Sequence, residues 1–104
     1  MWYEELFANL GAVAYLASEE PDELSVYMTF CRVGCDVPPS RVPCSALVDM
    51  ADSFEAGGFA NYVWYQFRLV VAAERLWNTR GVEALRALQA GEVGVAAEVE
   101  RNWP

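Results

Sequence analysis

The longest run of helical periodicity in this 104-residue chain starts directly behind a glycine pair, Gly57 and Gly58 in SFEAGGFANYVWYQF, and that juncture constrains the fold most. From Phe59 to about Trp77, Phe59, Tyr62, Val63, Phe67, Val70 and Trp77 fit one wide apolar stripe, the mark of an amphipathic helix in the middle of a fold. Glycine reaches positive φ without steric cost, so the pair is expected to end one helix and turn the chain into the next. Phe59 is the expected hydrophobic anchor of that corner.

The remaining segments read as helices too. Residues 2 to 17 place Trp2, Leu6, Leu10, Val13 and Ala17 at helical spacing, weakened locally by Gly11. SEEPDEL reads as a helix start, with Pro21 in the first turn and Glu20, Asp22 and Glu23 at the positive end of the dipole. Either Leu24, Met28 and Cys31 or Tyr27, Phe30 and Val33 supply its buried stripe, and Gly34 ends it. Three prolines within residues 35 to 43 exclude regular structure there. A third helix is expected from Pro43 or Ser45 to Glu55, burying Leu47, Met50, Ala51 and Phe54. Two short helices, about Val82 to Ala90 and Val93 to Arg101, complete an all-α, single-domain bundle of five to six helices.

Charge separates the two halves of this chain. Residues 1 to 55 carry ten acids against Arg32 and Arg41, whereas residues 56 to 104 carry five acids and five arginines, so the whole net charge of -8 belongs to the first half. Such a field repels nucleic acid and favours a basic partner. No lysine and no histidine occur. Serine and cysteine triads, histidine zinc sites, Schiff-base chemistry and the phosphate-binding lysine loop are thereby excluded, and we expect a protein that is not an enzyme and uses no cofactor. The absence of any long uncharged apolar run leads to the expectation of a soluble, cytoplasmic protein without membrane contact.

DSFEAGGFANYVWYQF, followed after a helix by TRGVEALRAL, resembles a helical family with the signature N-G-G-F-x-Q-[YF]-F, one branch of which is described as DNA-mimic proteins. Gly57, Gly58, Phe59 and Tyr62 match that signature over a similarity covering roughly residues 45 to 90. Ala56 stands in place of its Asn, Asn61 in place of its Gln, and Val63 in place of Phe. The resemblance implies carboxylates arrayed like the phosphates of a duplex and a basic nucleic-acid-binding protein, such as a transcription factor or a CRISPR-type defence complex, as partner. Glu19, Glu20, Asp22 and Glu23 form the best cluster, joined by Glu4 and Glu5 and by Asp49, Asp52 and Glu55. The competing reading is an immunity or antitoxin-type protein that binds through Trp64 and Tyr65, which lie off the main stripe, so that at least one of them is expected to be exposed.

Two further constellations could carry chemistry. Cys31, Cys35 and Cys44 have no histidine and no familiar zinc spacing, so free thiols are expected and no metal. Arg68, Arg75, Arg80 and Arg86 offer an anion site, although pairing with Glu74 and Glu83 explains them without a ligand.

Overall fold

The computed structural model describes residues 2–37 and 46–103. Five α-helices and a 3₁₀ turn make up the fold, with no strand among the described residues: α1 (Trp2–Glu19), α2 (Pro21–Gly34), the turn (Leu47–Asp49), α3 (Met50–Arg80), α4 (Val82–Gln89) and α5 (Val93–Arg101). The all-α bundle expected from periodicity is therefore what forms. Most of the proline-rich stretch and the proposed helix start at Pro43 or Ser45 lie outside the described residues.

The glycine corner forms at Gly58 alone. Its φ of 68° and ψ of -154° break the helical path of α3 in a region that a side chain populates only under strain. Phe59 is not the anchor of this corner, for its side chain is 73% exposed. Asn61 takes that role: it is fully buried, and its Nδ2 donates to the Ser53 carbonyl at 3.1 Å, joining the segments on either side of the kink. A buried amide that satisfies a backbone acceptor holds direction as well as distance, which an apolar ring does not.

Beyond the kink, the apolar stripe is rotated from its expected position. The buried side chains of α3 are Asn61, Trp64, Tyr65, Leu69, Val70, Ala73 and Leu76, while Tyr62, Val63, Phe67 and Trp77 are half-buried. Small and polar residues, Ala73 and Asn61, share the true core face, so apolarity alone misplaces it. Before the kink the same shift recurs: Leu47, Met50 and Ser53 are buried, whereas Ala51 and Phe54 face outward. Around α3 the main core gathers Leu6, Leu10 and Val13 of α1, Ala84 and Leu88 of α4, and Val95 and Val99 of α5. Tyr3 donates to the Leu88 carbonyl at 2.6 Å and Tyr65 to the Ala46 carbonyl at 2.9 Å, so both phenols satisfy their polar ends.

The rotation of α2 follows from a separate small cluster. Met28 and Cys31 are buried against Val70, with Phe67 and Val71 at its edge. Gly34 closes on the Phe67 ring so tightly that a Cβ there would stand 2.5 Å from two ring carbons. Close approach, rather than helix termination by positive φ, is the reason for this glycine. Of the two stripes open to α2 in the sequence, Leu24, Met28 and Cys31 turn inward.

Candidate functional site

Four carboxylates crowd one elbow. Glu20 alone separates α1 from α2, so Glu19, Glu20, Asp22 and Glu23 project from a single tight turn, and all four are exposed. Pro21 starts α2 at its first position, and Asp22 and Glu23 occupy the first turn. There the peptide dipoles favour them locally, whatever else they do.

The other acids lie elsewhere. Glu4 and Glu5 open α1, and fifteen residues of unbroken helix, at 1.5 Å each, set Glu4 about 22 Å from Glu19. Glu5 is half-buried, accepting from Gln66 Nε2 at 2.7 Å and from the Tyr62 hydroxyl at 3.3 Å. Burial first, and the Glu5 carboxylate second, push the Tyr62 phenol above its ordinary value. Tyr62 also meets Phe54 edge-on, with ring centroids 5.4 Å apart, which brings the segment bearing Asp49, Asp52 and Glu55 to the Glu5 end of α1. Those three acids are exposed. The nine carboxylates thus form two groups at opposite ends of α1.

Arginine leaves most of them unmatched. Among the described residues the ion pairs are Arg32 with Glu74, Arg80 with Glu98 and Arg86 with Glu83, whose acids all belong to the second half. Glu19, Glu20, Asp22, Glu23, Asp49, Asp52 and Glu55 have no arginine partner among the described residues. Exposed pairs of this kind contribute little to stability. Their effect is to leave the surplus negative charge where the sequence concentrates it.

Trp64 and Tyr65 do not form a surface. Trp64 is 9% and Tyr65 0% exposed; they pack edge-on with centroids 5.0 Å apart, and Trp103 stacks on Tyr65 at 6.0 Å. The aromatic patch expected of them is a piece of core, because the burial face of α3 is rotated toward both. Exposed apolar residues do share one side of α2, where Val26, Phe30 and Val33 are 72%, 63% and 64% exposed. Sequence reasoning named Phe30 and Val33 only as candidates for burial. The signal was legible nonetheless, since α2 carries two apolar stripes and a surface helix needs one.

Arg68 and Arg75 line a groove of about 360 Å³ together with Val71, Leu76 and Trp103. The Arg68 guanidinium lies 3.7 Å from the Trp64 ring centroid and donates to the Cys35 carbonyl at 2.7 Å. Arg80 and Arg86 are held by Glu98 and Glu83, so the four arginines do not form one site. Cys31 and Cys35 are free thiols, and burial pushes both above the ordinary value. No group of three or more metal-ligating side chains occurs among the described residues, and Cys44 lies outside them. No helix among the described residues is long and apolar enough to cross a membrane.

Comparison with family models, curated proteins and solved structures gave no match to this chain.

Proposed function

We propose that this chain is an acidic protein-binding inhibitor, not an enzyme, whose carboxylates occupy the basic nucleic-acid-binding site of a partner and block it. The observation that supports this reading is that seven of the nine carboxylates singled out in the sequence are exposed and without an arginine partner among the described residues, four of them on the α1–α2 elbow. A cationic groove built for phosphates attracts such a surface from a distance and rejects other partners of the wrong sign. The likeness of residues 45 to 90 to a family with DNA-mimic members points the same way.

The test is capture from a lysate at low salt with and without duplex DNA, followed by titration of each purified captured protein across ionic strength. Nucleic-acid-binding proteins released by DNA and by moderate salt are the expected outcome, because exposed charges are screened within about 10 Å at 0.1 M salt. Capture that neither DNA nor salt reverses would end the proposal.

A further inference from the structure

We infer that the outward face of α2 is the docking seat for a basic amphipathic helix. Val26, Phe30 and Val33 follow one another at i, i+4 and i+7, the spacing that lines one side of a helix, and Val37, just past the end of α2, is exposed as well. Tyr27 widens the stripe, and a groove lined by Asp22, Glu23, Val26, Tyr27 and Phe30 runs along its first half. Scattered single apolar residues on a surface mean nothing, but contiguous ones mark contact with something.

The helix cannot relieve this exposure by rolling. Met28 and Cys31 are buried on its other side, Gly34 is pressed against the Phe67 ring, and Arg32 pairs with Glu74 of α3. Met28 and Cys31 on the far side therefore fix the face toward solvent, with Gly34 held against α3 at its edge. Phe30 also meets Phe67 edge-on at 5.5 Å, which holds its ring in place. A pre-set aromatic anchor loses little freedom when a partner covers it.

Charge selects the occupant. At 100° per residue, Asp22 and Glu23 fall on either side of the Val26–Phe30 line, and Glu19 and Glu20 stand just ahead of it. A second copy would bring this acidic rim, on a chain of net charge -8, against another of its kind. A helix with an apolar stripe flanked by lysine or arginine meets the apolar line and the carboxylates together, the helix-in-groove mode of recognition. The basic character of the occupant rests on the proposed function, while the apolar seat does not.

An 18-residue, fluorescein-labelled Leu/Lys amphipathic helix serves as probe, with a Leu/Glu helix of the same pattern as control, read by anisotropy against the full chain. Phe30→Ser is expected to weaken the Leu/Lys helix about thirtyfold, the loss of one hot-spot side chain. Val26→Ser combined with Val33→Ser, which leaves the Phe30–Phe67 contact alone, should do the same. Phe59→Ser, at an even more exposed aromatic elsewhere, should change affinity less than twofold. Asp22→Asn with Glu23→Gln should weaken binding more than Asp52→Asn with Glu55→Gln.

Equal binding of the parent and both α2 variants overturns the seat, as does a parent dimer in sedimentation that Phe30→Ser converts to monomer. Equal binding of the Leu/Glu helix overturns the charge selection. Salt-reversible, DNA-competed capture from lysate that persists in Phe30→Ser would leave the acidic-surface proposal standing without this one. Loss of the α2 effect alone therefore does not touch the other reading.

Discussion

Replacing Gly34 by alanine sets two effects of known size against each other. Alanine favours a helix over glycine by about 1 kcal/mol in a helix interior and by less at the last position of α2, where Gly34 stands. Against this, the new methyl would lie 2.5 Å from Cδ2 and Cε2 of Phe67 and 2.7 Å from its Cγ. The ring is half-buried and braced by Phe30 at 5.5 Å, so it cannot swing away as a flexible chain end would. Relief needs α2 and α3 to part by about 1 Å or the ring to leave its rotamer, and overpacking of this kind costs about 1–3 kcal/mol. The steric effect wins, leaving Gly34→Ala about 1–2 kcal/mol less stable than the parent. Urea unfolding followed by circular dichroism measures the difference, and the melting temperature should fall by about 4–8 °C for each kcal/mol. Gly11→Ala is the internal control: Gly11 lies inside α1 with no atom within 4 Å of the added Cβ, so the same substitution should stabilise by up to about 1 kcal/mol. In Gly34→Ala/Phe67→Leu the penalty of the first change should shrink, since the planar ring is the obstacle. A Gly34→Ala protein as stable as the parent, or a penalty that Phe67→Leu leaves intact, would refute the close-packing account of α2.

Three further outcomes follow from particular contacts. Gly58→Ala should destabilise by about 1–3 kcal/mol in the same unfolding assay, from backbone strain alone, because nothing lies within 4 Å of the added Cβ. Asn61→Leu, which strips the Ser53 carbonyl of its buried donor, should cost about 1–3 kcal/mol, and a neutral result would remove Asn61 as the tie across the kink. Cys31 and Cys35 should react slowly with iodoacetamide at pH 8, and their rates should still be climbing beyond pH 9, since burial holds both thiols above the ordinary 9.0. The unfolded chain then releases those protons first, so stability contributed by the two thiols is whole below about pH 9 and declines as pH rises past it.

Helical content, element order and the acidic first half were legible in the sequence because each depends on local spacing or on a count. Pro21 opens α2 and Gly58 breaks α3 where those residue types act on their own backbone. Facing was legible on α1, where Leu6, Leu10 and Val13 are buried as their spacing predicts, but only in part on α3. Trp64 and Tyr65 are core where a surface patch is expected, Phe59 and Phe54 are exposed where burial is expected, and in each instance neighbours distant in the chain set which side of the helix is buried. Asn61 reads as polar surface until Ser53, eight residues away, presents a carbonyl to it. Gly34 ends α2 as its residue type suggests, but the Phe67 ring pressed against it is not readable in the sequence.

The choice between the two apolar stripes of α2 shows the division most plainly. Both lie along one side of a helix, the first within about 60° and the second across about 120°, and both are apolar enough to be buried. The sequence alone determined that α2 would be a helix with an acidic start and more apolar surface than one face can bury. Only tertiary packing decided which stripe stayed outside, because a side chain's burial depends on which distant helix approaches it, and the smallest residue on α2 let α3 come nearest on that side.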